Sequence, residues 1–461
     1  MPPCRAHAGR HRVKCLGDNP VRERQIEDLA GALYNLLLVA ILPLAAVFYL
    51  WRIFVLRKAN RSWRCNLGCL PLLSRRPKGE PLIWLHAASV GEVIASVPVL
   101  EEVRQRVPGI RVLVTTITQS GNAVAKKFIR PEDRAGYLPL DYPPFVLRAL
   151  DRVRPDVFVM VESEIWPNFL FFAKKRRVPT VLINGRVSEQ SHRRALKFRW
   201  LMSWAVSGID RLCMQTDADE KRIKAIGAKS GQVSVFGCTK FDGDDERLSL
   251  EETAHLKRDL GIPEGSRVFI AGSTNRGEEE PVLSAFLKLR HQIPDLRLII
   301  APRKIERADK IWALIVGMGL TPSRRTCKKE EFDVLIIDTL GELARMYAVG
   351  DIAFVGGTLV KKGGHNLIQP IIQGKPVLFG PHTFKTSSVA ELLLSAGVGF
   401  RVKTAEAMAE QASLLLLNTE AAAKTDAACS RLISENKGAS AKCAGVITEI
   451  LKAKEERASA A

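Results

Sequence analysis

Short runs of apolar residues alternate with longer amphipathic segments between about residues 80 and 403. Apolar runs rich in Val, Ile and Leu predict buried strands, and the amphipathic segments between them predict helices. Strands that alternate with helices form parallel sheets through right-handed crossovers. The predicted strands cover residues 82–87, 110–118, 156–163, 179–186, 209–216 and 233–237, followed by 267–274, 296–303, 333–339, 352–358 and 376–380.

A charged, turn-rich stretch at residues 242–253 interrupts this alternation and divides the predicted strands into two sets. Two such sets on either side of a hinge predict two Rossmann-like α/β domains that face a cleft. We place these domains at residues 80–242 and 254–403. The Ala-, Leu- and Lys-rich remainder, residues 404–461, predicts C-terminal helices.

An uncharged segment precedes the first domain. Residues 29–51 carry no charged side chain and would span about 34 Å as a helix, enough to cross a bilayer once. The following residues, 52–80, mix basic, aromatic and apolar side chains, which suits an anionic membrane surface. A buried core helix is the alternative. We predict a basic tail at 1–28, a single transmembrane anchor at 29–57, and nearly all of the mass on one side of the membrane.

The chain is strongly basic. Its 461 residues include 69 Lys and Arg against 49 Asp and Glu, a net charge of +20. This balance indicates an anionic partner, either nucleic acid, an anionic membrane or a phosphorylated substrate. Nucleic acid explains neither the apolar span nor the polar motifs at the strand ends, so we predict no such partner. The 9 cysteines lack paired zinc-ligand spacing, which indicates a reduced compartment without a structural metal.

Polar motifs end three predicted strands of the first half, where backbone N–H groups and helix dipoles converge. Glu92 follows HAASVG, Glu162 ends an apolar strand, and Lys240 lies at the domain boundary. A buried carboxylate needs a cationic partner or a raised pKa, and a lysine beside a cleft can stabilise developing negative charge. The alternatives are a first-turn helix acid for Glu92 and a surface lysine for Lys240. Helix capping is the alternative for the acids at 162 and 164, and it applies more naturally to Glu164 than to Glu162.

Strand ends of the second half carry signals for anion binding. Hydroxyls followed by acids predict a capped helix N-terminus, and an arginine after a proline supplies a fork-shaped cation suited to phosphate. Gly-rich turns predict backbone N–H groups that cradle a phosphate, although no GxGxxG or P-loop motif is present. Together they predict a nucleotide site. The residues at these turns are Ser273 and Thr274 with the acids 278–280, Pro302 and Arg303, 338–342, 356–358 and 363–366.

These motifs resemble, in their residues and in their order along the chain, those of the 3-deoxy-D-manno-octulosonic acid (Kdo) transferases of lipopolysaccharide synthesis. The resemblance covers roughly residues 30–400 through WLHAASVGEV, LPLDYPPFVLRAL, VMVESEIWPN, INGRVSEQS, GCTKFD, GSTNRGEEE, APRKIER, AFVGGTLVKKGGHN and GPHTF. It implies a GT-B fold with a membrane anchor at the cytoplasmic face of the bacterial inner membrane. The implied reaction transfers Kdo from CMP-Kdo to the phosphorylated lipid A precursor, with inversion. We expect no metal or cofactor.

The resemblance also implies roles for single residues. Glu92 is the expected general base, and Glu162 and Lys240 are expected to stabilise the transition state. The first domain would hold the acceptor through Arg186, Ser188, Arg193 and Arg194. The second domain would hold CMP through Ser273, Thr274, Pro302, Arg303, Leu340, Gly341, Glu342, Asn366, Leu367, Ile368 and Gln369.

Several positions depart from the family pattern, all of them in the second domain. Asn275 and Lys304 stand where the family has histidine, and Gln369 where it has glutamate. Lys385 and Thr386 replace Asn-Phe. Two alternatives therefore stay open: a GT-B enzyme that uses another CMP- or UDP-sugar on a lipid acceptor, and a non-catalytic, membrane-anchored paralogue.

Overall fold

The computed structural model describes residues 29, 31–41, 63–71, 80–243, 247–327 and 331–459. The predicted basic tail and residues 42–57 of the predicted anchor lie outside these ranges. Residues 31–41 form a helix, α1. Within the described ranges, no helix combines the length and the apolar composition that a membrane crossing demands, so the predicted anchor is not supported by this part of the chain.

A parallel sheet of seven strands, in the order β3-β2-β1-β4-β5-β6-β7, forms the first domain. The chain passes from β1 outward to β2 and β3 and then returns to the other side of β1 at β4, so the topological switch point lies between β1 and β4. The strands are β1 Leu82–His86, β2 Arg111–Thr116, β3 Arg134–Tyr137, β4 Val157–Val161, β5 Thr180–Gly185, β6 Arg211–Met214 and β7 Val233–Val235. The helices are α2 Trp63–Asn66, α3 Val90–Arg106, α4 Gln119–Phe128, α5 Pro143–Val153, α6 Pro167–Lys175, α7 Glu189–Lys197, α8 Arg199–Ser207 and α9 Asp217–Ile226.

The second domain repeats this plan with a second seven-stranded parallel sheet, in the order β10-β11-β9-β8-β12-β13-β14. Its switch point lies between β8 and β12. The strands are β8 Val268–Thr274, β9 Arg297–Pro302, β10 Pro322–Arg324, β11 Val334–Ile336, β12 Ile352–Val355, β13 Val377–Phe379 and β14 Gly399–Arg401. The helices are α10 Leu250–Asp259, α11 Glu279–Arg290, α12 Ala308–Gly317, α13 Leu343–Met346, α14 Ile368–Ile372 and α15 Ser387–Ser395.

The central strands are buried on both faces, which explains their continuous apolar runs. Trp84 of β1 lies opposite Leu113 of β2 and Phe158 of β4. Its ring meets the ring of Phe158 edge-on at 5.5 Å and that of Phe169 at 4.9 Å, and all three are fully buried. This packing fixes the strands whose C-terminal ends carry the polar motifs.

The C-terminal helices join the two domains. They are α16 Ala405–Leu417, α17 Thr419–Asn436 and α18 Ala439–Ser459. Helix α16 packs on α11, whereas α18 returns to the first domain and packs on α3. The Asp242 carboxylate accepts from the backbone N–H groups of Gly438 and Ser440, both at 2.7 Å, and so binds the start of α18. The last helix therefore holds the boundary turn that carries Lys240.

Candidate active site

The two domains meet at the C-terminal ends of their parallel strands. Arg186, directly after β5, forms an ion pair with Glu391 of α15 in the second domain. A Cβ built on Gly91, at the start of α3, would lie 3.7 Å from the carbonyl oxygen of Lys385. The residues at the two switch points therefore border a shared cleft, which is where α/β domains of this topology bind their ligands.

Glu92 lies directly after β1 in the first turn of α3. Its Oε2 accepts from the Ala88 backbone N–H at 2.8 Å, and its Oε1 accepts from the Ser89 hydroxyl at 2.8 Å. The residue is only 9% exposed. Burial, together with the negative charges of Glu164 and Glu162, raises the pKa of Glu92 to about 7. The carboxyl group is therefore close to half-ionised at neutral pH, as a general base requires.

Glu162 and Lys240 form an ion pair beside this group. Lys240 Nζ lies 2.6 Å from Glu162 Oε1, and the two side chains are 14% and 16% exposed. Burial alone would lower the pKa of Lys240, but the charge of Glu162, the hydrogen bond to it and the nearby Cys238 and Glu92 together more than offset this effect, so the pKa is raised. The ammonium group is therefore positively charged at neutral pH. The pair brings together two residues that lie far apart in the sequence.

Backbone strain marks the same region. Glu162 has φ 62°, Asn184 φ 52° and Ser273 φ 55°, all in the left-handed region that non-glycine residues rarely occupy. Each such residue costs about 1–2 kcal/mol. Asn184 fixes the turn that carries Lys240, because its Oδ1 accepts from the backbone N–H of the preceding residue, Thr239, at 3.1 Å. Three of the five non-glycine residues with this conformation in the described ranges thus lie at strand ends beside the cleft, and such strain is frequent at functional sites.

Glu164 is a site residue that the sequence did not identify. The alternative that it caps a helix is wrong, because Trp166 is the N-cap of α6 and no side chain caps that helix. Instead Glu164 Oε2 accepts from Trp166 Nε1 at 3.0 Å and lies 3.3 Å from His86 Nε2. The Trp-Pro that follows it and the histidine that ends β1 are the only sequence signals, and neither indicates a pairing across two strands.

The first donor-site residues lie at the ends of β8 and β9. The Arg303 backbone N–H donates to the Thr274 carbonyl at 2.9 Å. The Thr274 hydroxyl is buried and has no hydrogen-bond partner within the described ranges. Ser273 and Thr274 do not cap α11 as predicted, because its N-cap is Glu278 and lacks a side-chain cap. Beyond buried Pro302, the exposed Arg303 lines a cavity of about 530 Å³ that also includes Leu340.

Glu278 overturns the prediction that the turn at 356–358 cradles a phosphate. Its side chain is fully buried and accepts five backbone N–H groups. Oε2 accepts from Gly357 at 2.7 Å, and Oε1 accepts from Thr358 at 3.0 Å and from Leu359 at 2.9 Å. Because a carboxylate of the chain already occupies these donors, they are not available to a ligand. Glu278 acts as an internal anion that fixes this loop.

The remaining donor-site residues divide by side-chain environment. Leu367 and Ile368 are 0% and 3% exposed and belong to the hydrophobic core, which leaves only their backbone for a ligand. Asn366 Oδ1 accepts from the Ile368 N–H at 3.0 Å. Glu342 accepts from Arg325 Nε at 3.0 Å. The structure therefore commits Glu342 to an internal ion pair, while Gly341 provides the left-handed turn (φ 87°) beside the exposed Leu340.

His365 is held in its neutral form by one of the departures from the family pattern. Asn275 Nδ2 donates to the Ser273 carbonyl at 3.2 Å and lies 3.1 Å from His365 Nε2. An amide nitrogen only donates, so Nε2 must accept and the proton is assigned to Nδ1. Burial and the charge of Arg303 lower the pKa of His365, in agreement with this assignment.

The predicted acceptor residues lie after β5 and on α7. The Arg186 backbone N–H donates to the Glu162 carbonyl at 3.2 Å, so this arginine lies next to the ion pair of Glu162 and Lys240. The Ser188 hydroxyl caps α7 by accepting from the Ser191 N–H at 3.2 Å. Arg193 pairs with Glu189, and Arg193 and Arg194 are exposed on a helix that buries no residue. Only Arg186 therefore lies in direct contact with the proposed catalytic residues.

Residues 61–243 match the sequence profile of the family described as 3-deoxy-D-manno-octulosonic-acid transferase (kdotransferase). The 3-deoxy-D-manno-octulosonic acid transferase of Haemophilus influenzae is 32% identical over 380 residues, 81% of this chain and 86% of that protein. A bifunctional glycosyltransferase/methyltransferase of Fusobacterium nucleatum is 33% identical over 338 residues, 71% of this chain. The match spans only 52% of that longer protein.

Among solved structures, the UDP-GlcNAc 2-epimerase from Neisseria meningitidis superposes with a TM-score of 0.50. The match covers 80% of this chain and 99% of the epimerase, at 14% sequence identity. At this identity the similarity concerns the fold alone. It agrees with the arrangement of two parallel-sheet α/β domains predicted from the sequence.

Proposed function

Since the chain belongs to the 3-deoxy-D-manno-octulosonic acid transferase family and is a glycosyltransferase, we propose that it transfers Kdo from CMP-Kdo to the lipid A precursor. One observation carries the proposal: Glu92, a nearly buried carboxyl group with a pKa of about 7, lies at the switch point of the first domain beside the Glu162–Lys240 pair. A base with this pKa suits the removal of a proton from a sugar hydroxyl at neutral pH.

In the proposed reaction, the acceptor hydroxyl loses its proton to Glu92 as its oxygen attacks the anomeric carbon of Kdo. The bond between that carbon and the phosphate oxygen breaks, and its electron pair leaves with CMP. Glu92 belongs to the first domain and Arg303 to the second, across the cleft. This separation suits inversion, in which the base and the leaving group act on opposite sides of the reacting carbon.

Charge stabilisation is divided between the two domains. Arg303 would hold the phosphate of the departing CMP, because a guanidinium group can donate two parallel hydrogen bonds to two phosphate oxygens. Lys240 remains protonated beside Glu162 and would help to stabilise the negative charge that develops on the leaving phosphate, since the transferred sugar itself becomes more positive in the transition state. Glu162 in turn orients the lysine through their 2.6 Å contact.

We also propose that α1, α7 and α8 face an anionic membrane surface, at the cytoplasmic face of the bacterial inner membrane. Tyr34 of α1 donates to Asp141 at 3.0 Å, and its ring lies 6.5 Å from that of Trp204 in α8. The contact between Tyr34 and Trp204 joins α1 to α8, and α7 packs on α8, so the three helices adjoin and form one face. That face exposes apolar side chains at Leu33, Leu36, Leu37, Val39, Ile41, Leu196, Phe198 and Trp200, and basic ones at Arg193, Arg194, Lys197 and Arg199. Exposed apolar and basic residues together suit the interfacial region of an anionic bilayer.

Nucleotide release tests the proposal against both alternatives. The full chain is incubated with tetra-acylated lipid A precursor and either CMP-Kdo or a UDP-hexose, and the released nucleotide is quantified. We expect acceptor-dependent release of CMP and none of UDP. Acceptor-dependent UDP release would favour the other GT-B enzyme. No release from either donor would reject Kdo transfer and favour the non-catalytic paralogue or an enzyme for another CMP-sugar.

A further inference from the structure

We propose that Lys385 recognises the carboxylate of the transferred sugar acid while Arg303 holds the nucleotide phosphate. Two cations of the second domain would then bind the two anionic groups of one donor. The inference rests on the proposed function, because an octulosonic acid activated through a phosphate carries both anions. It adds a residue that determines specificity for the sugar rather than for the nucleotide.

The position of Lys385 is fixed by the turn that carries His365. Its backbone N–H donates to the Gly363 carbonyl at 3.0 Å. A Cβ on Gly363 would lie 2.7 Å from Lys385 Cγ, and Gly363 has φ 96°. Only glycine therefore fits beneath the lysine stem. The backbone of the lysine is thus tied to this turn of the second domain, and the residue is exposed.

Lys385 lies between the proposed base and the phosphate-binding arginine. On one side, its carbonyl oxygen lies 3.7 Å from a Cβ built on Gly91, the residue that precedes Glu92. On the other side lies His365, two residues after Gly363, and its Nε2 lies 3.1 Å from Nδ2 of Asn275. Asn275 directly follows Thr274, whose carbonyl accepts from the Arg303 backbone N–H, so the arginine is anchored on this side. The sugar must occupy this interval, because the reaction joins the oxygen deprotonated by Glu92 to the carbon that leaves the phosphate.

The charges needed for anion binding are available. Within the described ranges, neither Lys385 nor Arg303 forms an ion pair. The neighbouring carboxylates are already engaged, since Glu278 accepts backbone N–H groups and Glu391 pairs with Arg186. The Thr386 hydroxyl is also buried without a partner in the described part of the chain, which adds a second polar group beside the lysine. An exposed cation without a counter-ion is suited to a carboxylate.

A set of variants separates sugar recognition from nucleotide binding. We would measure the KM for CMP-Kdo and, by calorimetry, the Kd for CMP, which lacks the carboxylate. For Lys385→Gln we expect the KM for CMP-Kdo to rise about tenfold, as for loss of a hydrogen bond to a charged group, with CMP affinity within about twofold of wild type. Lys385→Arg should retain most of the CMP-Kdo affinity. Lys361→Gln, an exposed lysine ahead of the same Gly-rich turn, is the matched control and should change neither value.

Two outcomes would overturn the inference. An unchanged KM for CMP-Kdo in Lys385→Gln would show that the lysine does not contact the sugar acid. An equal loss of affinity for CMP and CMP-Kdo would assign Lys385 to the phosphate instead. Failure of the proposed function is distinguishable from both, because the wild-type protein would then form no product from CMP-Kdo at all.

Discussion

Replacing Glu92 by glutamine removes the proposed base with little change in size. The wild-type carboxylate accepts one hydrogen bond on each oxygen, from the Ala88 N–H and from the Ser89 hydroxyl. In Glu92→Gln the amide oxygen can keep one of these bonds, and the hydroxyl of Ser89 can rotate to accept from the amide nitrogen. The fold should therefore persist, while the side chain can no longer take a proton.

The size of the effect follows from general-base catalysis. Its removal typically lowers the rate by about 10²–10⁴-fold, and we expect Glu92→Gln to fall in this range. The base must be ionised, so the wild-type kcat/KM should rise with pH up to about 7, where burial and the charges of Glu164 and Glu162 set the pKa of Glu92. Removing one of these charges in Glu164→Gln should move the rise to lower pH.

The assay is initial-rate CMP release at several pH values, with thermal unfolding as the check on folding. Glu102→Gln is the matched control, because Glu102 lies on the same helix in a surface ion pair with Arg106 and should leave the rate unchanged. Activity of Glu92→Gln within a few-fold of wild type, or a pH profile that keeps its rise near 7 in the variant, would refute the assignment of Glu92 as the base.

Three further outcomes follow from the structure. Glu162 has φ 62°, a conformation that glycine adopts without strain. Glu162→Gly should therefore be about 1 kcal/mol more stable in urea unfolding than Glu162→Ala, although both variants lose the ion pair. Equal stability of the two variants would contradict left-handed strain at this residue. In Glu278→Gln an amide N–H₂ faces backbone donors, so the variant should have a free energy of unfolding lower by about 3 kcal/mol and should bind CMP more weakly. A change in the free energy of unfolding below about 1 kcal/mol would contradict the role of Glu278 as an internal anion. Replacing Arg193, Arg194 and Lys197 together by Gln should raise the KM for the lipid acceptor more than the KM for CMP-Kdo. The difference in acceptor KM between the variant and the wild type should shrink at high salt. An unchanged acceptor KM would mean that this helix face contacts only solvent.

The central strands of both sheets could be predicted from the sequence, whereas three edge strands could not. β3, β10 and β14 each pair with a single neighbour. Their sequences, RAGY, PSR and GFR, are short and only partly buried, so they lack the apolar run that marks a strand covered on both faces. Such an edge strand forms because it pairs with a neighbouring strand that is distant in the sequence, and the local pattern of apolar residues carries no information about that pairing.

The active site divides in the same way. Glu92, Glu162 and Lys240 lie at or after the ends of predicted strands, and these positions were accessible from the alternation of strands and helices. The role of Glu278 was not, because four of its five backbone partners lie at residues 357–360, the first of them 79 residues later in the chain. The Gly-rich turn alone is equally compatible with a bound phosphate and with a carboxylate of the protein, and only the fold distinguishes them.

The mass of the lipid product tests the central claim most directly. The full chain, tetra-acylated lipid A precursor and CMP-Kdo are incubated, and the lipid is analysed by mass spectrometry alongside CMP release, with Glu92→Gln in parallel. The account predicts a lipid whose mass has increased by one or more Kdo residues, one CMP for each Kdo added, and almost no product with Glu92→Gln. A lipid of unchanged mass in the presence of folded wild-type protein, or CMP released without Kdo on the lipid, would contradict it.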